Sequence, residues 1–203
     1  MDIILASASP RRREILQQFH IDFEVLSADI DETLQEDLPA HINAMRLAFR
    51  KGQSVYEQEK AKRQILVISA DTIVYTEGKI LGKPKDADEA RRMIRSLSGR
   101  MHQVITGYAL FGQNLRYLHY ESTKVWFRSL SVDEIEEYIQ TKEPYDKAGG
   151  YGIQGLGGLL ADRIEGDYAN VVGLPIAKIY EVLRRRYGLN LMDYSTGEES
   201  DGV

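Results

Sequence analysis

The chain has 203 residues, a formal net charge of −5 and no cysteine. That length supports a sizeable core, and the missing thiols exclude disulfides, thiolate metal sites and a cysteine nucleophile. No apolar run approaches the ~20 residues of a membrane span, and the N-terminal stretch lacks a secretory pattern, so a cytoplasmic protein without membrane contact is expected. The charge is unevenly spread. Ser195–Val203 contains Glu198, Glu199 and Asp201 and no base, and removing those three charges from −5 leaves −2 for the body. A nearly neutral body does not provide the field that nucleic acid requires, whereas a local basic cluster suits a small anion.

Ile3–Ala6 is an apolar run of strand type. Ser9-Pro10 then signals a helix start, with the serine hydroxyl as N-cap and proline at the first helical position. Ile15, Leu16 and Phe19 give that helix an apolar face. Arg11, Arg12 and Arg13 fall in its first turn, where the helix dipole disfavours cations. An anion docked on the free N–H groups resolves the conflict, and phosphate is the usual candidate. At ~100° per residue three consecutive side chains cannot face one ligand, so at least one arginine is expected to be structural.

Asp31-Glu32 follows a strand expected over Phe23–Leu26. Leu38 to about Lys60 reads as a long helix with Ile42, Met45 and Phe49 on one face, and Ile65–Ser69 as a buried strand. Thr72–Tyr75 and Lys79–Leu81 flank Glu77-Gly78, a two-residue hairpin signal. Continued, that ladder sets Thr72 opposite Lys83 and Lys83 beside Asp71, as a salt bridge or as part of a site. Asp86–Leu97 is a helix with Glu89 in capping position, and 103–111 and 117–127 form a second strand pair. Ser131 with Glu134 is a capping box. Leu159–Glu165 and Tyr168–Val172 are expected as short strands around Gly166-Asp167, and Pro175 opens a final helix to about Tyr187. Helices and hairpins interleave throughout, which predicts an α/β fold with a mixed sheet. One domain is expected over 1–190, followed by a disordered acidic tail over 191–203.

Asp71 ends the apolar strand, a common site position in α/β proteins, although turn chemistry also places aspartate there. With Asp31-Glu32 it could hold a hard divalent cation. Oxygen-only ligands point to Mg²⁺ or Mn²⁺, while a solvated loop is the plainer reading of the pair. The four histidines, His20, His41, His102 and His119, have no metal-ligand spacing. Residues 147–158 hold six of the 17 glycines, a density that lets backbone approach a ligand or turn with positive φ. No GxxxxGK[ST] occurs, and no GxGxxG follows a strand and opens a helix. Lys147 and Gln154 within the run favour ligand contact.

Taken together, these segments resemble the Maf family of nucleotide pyrophosphatases over roughly residues 3 to 186. The resemblance is carried by Leu5–Arg12 (LASASPRR), Ala70–Val74 (ADTIV), Gly82-Lys83-Pro84, Leu97–Arg100 (LSGR), Glu143–Gly149 (EPYDKAG), Tyr151–Gly155 (YGIQG) and Val171–Pro175 (VVGLP). It implies a Maf/inosine-triphosphatase-like fold, an elongated mixed sheet with flanking helices and a deep cleft between two lobes. The implied reaction is hydrolysis of a nucleoside triphosphate to the monophosphate and pyrophosphate with Mg²⁺ or Mn²⁺, and a homodimer is suggested. By the same resemblance Asp71 is the general base, and Ser7, Arg11, Arg12, Lys51 and Lys83 hold the triphosphate. Glu32 with Asp71 binds metal, and Arg13 lies outside the motif. Ser-Pro-Arg-Arg, Asp-Thr and Ile-Gln-Gly match the branch resembling dTTP/UTP pyrophosphatases. The branch preferring 7-methyl-GTP reads Ser-Pro-Trp-Arg, Asp-Gln and Ser-Glu-Gly, so Arg12, Thr72 and Gln154 are the expected specificity positions for a pyrimidine nucleotide. Gly150 departs from the alanine common in the family. Members are also associated with septum formation and arrest of cell division, which leaves a nucleotide-binding regulatory module as the alternative. A phosphatase or nucleotidyl transferase would differ in product.

Overall fold

A computed structural model describes residues 1–195, and the acidic tail over 196–203 lies outside the described residues. In chain order the elements are β1 (Asp2–Ala6), α1 (Pro10–Gln18), β2 (Glu24–Val25), α2 (Ala40–Glu59), β3 (Ile65–Thr76), β4 (Lys79–Leu81), α3 (Ala87–Leu97), β5 (Met101–Gly112) and β6 (Leu115–Phe127). They continue with α4 (Val132–Gln140), β7 (Ala161–Glu165), α5 (Tyr168–Val172) and α6 (Ile176–Tyr187). Seven strands form one mixed sheet in the order β2-β1-β3-β5-β6-β7, with β4 attached to β3. β1 runs parallel to both β2 and β3, and every other pairing is antiparallel. The α/β expectation holds.

The long strand β3 organises the molecule. Successive side chains of a strand point to opposite faces. Leu66, Ile68 and Ala70 join the core formed with α1 and α6, while Ile65 and Val67 join the one formed with α2. Further along, Val74 packs with α3 and α4, and Ile73 packs with Ala40 and Ala44 of α2. Asp71 and Thr72 fall where the strand passes from one pair of clusters to the next. Asp71 was expected at a strand end, but β5 pairs with β3 without a break from Val67 to Tyr75 and carries the strand past it.

Helix α2 covers its face of the sheet at unusually short range. Its inner side carries Ala44, Ala48 and Gly52, all buried. Opposite Asp71 in the ladder stands Gly107, and a Cβ there would lie 2.3 Å from the Ala44 carbonyl carbon. The small residues let the α2 backbone rest directly on the sheet.

Two expectations about local structure fail for identifiable reasons. Tyr168–Val172 is helical. Its branched residues suit a strand, but the Asp167 carboxylate accepts from the Ala169 N–H at 2.8 Å and caps a helical turn. The expected domain end at 190 is also too early. Leu191–Tyr194 forms a 3₁₀ turn with Leu191 buried in the core, and Ser195 bridges to Ile21.

His102 sits among Phe127 and Tyr151 beneath α3 and α4, and its Nε2 lies 2.7 Å from the Tyr151 hydroxyl. Its Nδ1 is buried without a partner, and burial lowers its pKa from 6.5 to about 4. The unfolded chain therefore takes up this proton first as pH falls. The stability contributed by neutral His102 is complete above pH 6.5 and is lost as pH falls toward 4. Between pH 7 and pH 5 the loss is about 2 kcal/mol. Denaturant titrations at those two pH values should show this fall in the wild type and a much smaller one in His102→Gln. A second expectation concerns Gly107. Gly107→Ala must push α2 off the sheet and should destabilise the protein by about 1–3 kcal/mol, read from the same titrations at pH 7.

Candidate active site

A cleft of about 620 Å³ opens where β3 crosses between its core clusters, and its walls come from β1, α1, α2, β3, β4 and the loop after α4. Ser7, Arg11, Arg12, Glu32, Lys51, Asp71, Thr72 and Lys83 all line it. Gln154 is exposed and lies outside this lining, although its neighbour Ile153 belongs to it.

The alternation of β3 divides the site in two. Asp71 points toward α2, where Lys51 Nζ meets its Oδ1 at 2.7 Å and Glu32 Oε2 at 3.0 Å. Lys51 and Asp71 are largely buried, with side chains 11% and 12% exposed, whereas Glu32 is 56% exposed. One ammonium thus holds two carboxylates together at the cleft wall. Asp31 takes a different part. Its Oδ1 accepts from the Thr33 hydroxyl at 2.5 Å and from the Thr33 N–H at 2.9 Å, and these bonds lower its pKa. Asp31 shapes the turn that presents Glu32.

Thr72 points the other way, toward α1. There the buried Arg12 guanidinium donates from Nε to the Gly173 carbonyl at 2.7 Å. It also donates from Nη1 to Ser7 Oγ and from Nη2 to Thr72 Oγ1, each at 3.0 Å. Gly173 has φ +126°, and a Cβ there would approach Arg12 Nε at 3.4 Å and Thr72 Oγ1 at 3.3 Å. Glycine both adopts that backbone and leaves room for the arginine. Burial lowers the Arg12 pKa, and the nearby Asp71 charge opposes the shift.

The three arginines separate as the helical spacing requires. Arg12 is buried, Arg13 is exposed, and Arg11 is partly exposed at the cleft with Nη1 3.5 Å from Asp146 Oδ2. Ser9 precedes α1, but its hydroxyl makes no cap bond. Instead the Ser9 N–H donates to Ser7 Oγ at 3.2 Å. Lys83 reaches the cleft by a different route from the expected ladder. The β3–β4 hairpin keeps the predicted Thr76–Lys79 register but stops at Val74–Leu81. The Gly82 carbonyl then accepts from the Gly149 N–H at 3.0 Å, which draws the chain off the sheet. Lys83 is exposed, and Lys51 takes the place beside Asp71.

The glycine-rich segment is held by a residue that composition alone does not mark. Glu143 accepts from the Leu156 N–H at 2.9 Å, the Gly157 N–H at 3.0 Å and the Tyr138 hydroxyl at 3.2 Å. Lys147, which lines the cleft, donates to the Glu143 carbonyl and to Asp146. Asp146 therefore links this loop to Arg11 of α1.

Glu32 and Asp71 supply oxygen ligands of the type hard divalent cations prefer. Among the described residues no group of three or more His, Asp or Glu side chains could hold a metal. Two carboxylates suit an ion that completes its shell with water and substrate phosphate, the usual habit of Mg²⁺. No helix of the described residues is long and apolar enough to cross a membrane.

A family model described as "Maf-like protein" matches residues 2–186. The chain is 51% identical over 192 residues to a dTTP/UTP pyrophosphatase of Alkaliphilus oremlandii, covering 94% of this chain and 98% of that relative. It is 48% identical over 194 residues to a dTTP/UTP pyrophosphatase of a Thermoanaerobacter species, covering 95% and 100%. Among solved structures it is similar to a nucleoside-triphosphatase / dITP/XTP pyrophosphatase of Mycobacterium abscessus, with 13% identity and a TM-score of 0.38 over 70% of this chain and 95% of that one. The match from residue 2 to residue 186 and the near-complete coverage of these relatives establish that the chain belongs to the Maf family.

Proposed function

We propose that the protein is a nucleoside triphosphate pyrophosphatase that hydrolyses dTTP and UTP to the monophosphate and pyrophosphate. The observation that carries this reading is the convergence of Arg11, Arg12, Lys51 and Lys83 with one buried carboxylate, Asp71, on a single cleft. A triphosphate carries about four negative charges, and its transfer chemistry rests on positioning and charge neutralisation. The relatives named dTTP/UTP pyrophosphatase support the choice of substrate.

In this mechanism Asp71 accepts a proton from the attacking water as its oxygen bonds to the α-phosphorus. The bond from that phosphorus to the α–β bridging oxygen breaks, and pyrophosphate leaves. Lys51 holds Asp71 and Glu32 toward the cleft with two of its three ammonium protons and keeps the third for a phosphate oxygen. Arg11, Arg12 and Lys83 neutralise the triphosphate, and Ser7 orients Arg12. Glu32 and Asp71 would hold Mg²⁺ or Mn²⁺, which supplies further neutralisation of the phosphates. Thr72 and Gln154 belong to the proposed specificity set with Arg11, which stands where Ser-Pro-Trp-Arg has tryptophan, whereas Arg12 is common to both motifs and acts through its bond to Thr72. The exposed Gln154 amide, next to the cleft-lining Ile153, offers the donor and acceptor that a uracil or thymine edge requires.

The decisive experiment measures pyrophosphate release from a nucleotide panel with Mg²⁺ or Mn²⁺. Release from dTTP and UTP is expected, while robust release from 7-methyl-GTP alone would overturn the substrate assignment, and inorganic phosphate as product would mean a phosphatase. Asp71→Asn should lower kcat by about 10²–10⁴ while nucleotide affinity, followed by equilibrium binding, persists. Arg11→Ala should raise KM about tenfold, as expected for one lost charged contact. Arg13→Ala should leave KM within a factor of about two, and equal losses in the two variants would sink this division.

A further inference from the structure

Behind Thr72, away from the cleft, a chain of buried hydroxyls crosses the sheet. Thr72 Oγ1 lies 2.9 Å from Thr106 Oγ1, and Thr106 Oγ1 donates to the Asn170 carbonyl at 3.0 Å. A threonine hydroxyl has one proton and two acceptor lone pairs. Thr106 spends its proton on Asn170, so Thr72 must be the donor in the contact between the two hydroxyls. Its proton then points inward and its oxygen faces Arg12 Nη2 purely as an acceptor, at 3.0 Å. Hydrogen bonding therefore runs one way, from Arg12 through Thr72 and Thr106 to Asn170.

The far end of this chain is fixed independently. Asn170 is fully buried, and its Nδ2 donates to the Val104 carbonyl at 3.0 Å and to Thr123 Oγ1 at 2.9 Å. Thr123 Oγ1 in turn donates to the Asp167 carbonyl at 3.0 Å and accepts from the Asp167 N–H at 3.1 Å. These bonds pin α5 to β5 and β6, which holds both the Asn170 carbonyl and, three residues on, the Gly173 carbonyl that receives Arg12 Nε. Two ends of the guanidinium are thus referred to one short helix.

We infer that Thr106 is a positioning residue for nucleotide binding: by taking the Thr72 proton it fixes Thr72 as an acceptor and so locks the Arg12 guanidinium, leaving Thr72 no proton to offer the substrate. Three of the five guanidinium N–H groups are engaged in this way, and the remaining two are held in one orientation for phosphate. Thr72 then influences specificity through Arg12 and not by donating to a base. The inference rests on the reading of Arg12 as a triphosphate contact.

The test uses the full chain labelled with [¹⁵N]arginine, the Arg12 signals being those lost in Arg12→Lys. In the wild type the Arg12 Nη protons should be resolved by restricted rotation. In Thr106→Val they should coalesce, and in Thr106→Ser, which keeps the hydroxyl, they should stay resolved. KM for dTTP should rise about tenfold in Thr106→Val with kcat within a factor of about two, and Thr106→Ser should restore it. A purely structural role would lower the active fraction and hence the apparent kcat, with KM and the Arg12 signals unchanged, and that outcome would overturn the proposal. If Thr106→Val does not fold, Thr72→Val removes the same link from the cleft side and should give the same coalescence and KM increase. Retained Nη resolution there would overturn the proposal equally. Absence of any pyrophosphate release by the wild type would refute the enzymatic reading alone, since the Arg12 spectra require no turnover and decide the relay separately.

Discussion

The alternation of side chains along β3 sends Asp71 to the α2 face and Thr72 to the opposite face, and each half of the cleft is built outward from that division. A carboxylate and a hydroxyl on adjacent residues cannot share a face of a regular strand, so each recruits partners from a different layer. Asp71 meets Lys51 of α2, and Thr72 meets Arg12 of α1. The site needs both layers close to the sheet at the same level. On the α2 side this closeness comes from the absence of side-chain bulk: Gly107, beside Asp71 in the ladder, faces the backbone of Ala44. On the other side Gly173, at φ +126°, presents its carbonyl to Arg12 Nε from a backbone conformation that residues with side chains rarely adopt.

The two cations nearest the strand are held in physically different ways. Lys51 is ion-paired to Asp71 and Glu32, so its charge is compensated locally. Arg12 donates to a carbonyl and two hydroxyls, which orient it without neutralising it. A buried cation with neutral partners carries a desolvation cost, consistent with its lowered pKa. On the proposed reading, a phosphate bound at Arg12 would relieve part of that cost. Preorganised donors in a partly dry site stabilise charge better than mobile ones in water.

Much of this was legible in the chain because the relevant signals are local. The Ser131–Glu134 capping box, the Asp86 N-cap, the Thr76–Lys79 hairpin register and the incompatibility of three arginines with one ligand all follow from short-range geometry, and the structure retains them. Long-range pairing was not legible. The ladder with β5 carries β3 past Asp71, and a hydrogen bond to Gly149 pulls Lys83 from the ladder that hairpin extrapolation predicts. Tyr168–Val172 has strand-like residues, yet one Asp167 cap decides for helix. Lys51 was reached only through family resemblance, although Ala44, Ala48 and Gly52 at four-residue spacing mark the α2 face that rests on the sheet. Thr106 and Asn170 had no local signal at all, since their partners come from distant segments, and Glu143 stood only within the EPYDKAG stretch that carries the resemblance.

The contact between Arg12 and Thr72 also bears on how specificity is written in this fold. Aligned on Ser9-Pro10, the Ser-Pro-Trp-Arg of the 7-methyl-GTP branch sets tryptophan at position 11 and keeps arginine at 12, while its Asp-Gln replaces Thr72. Arg12 is hydrogen-bonded to Thr72, so a change at 72 is made against a retained arginine that is also tethered to Gly173 and Ser7. Removing the Thr72 oxygen would leave Arg12 Nη2 without that acceptor. A longer amide at position 72 carries its own donors and acceptor and can find new partners. The two positions are therefore coupled by the cost of an unpaired polar group in the cleft floor, and a change at one alters the requirement at the other even before any nucleotide is bound.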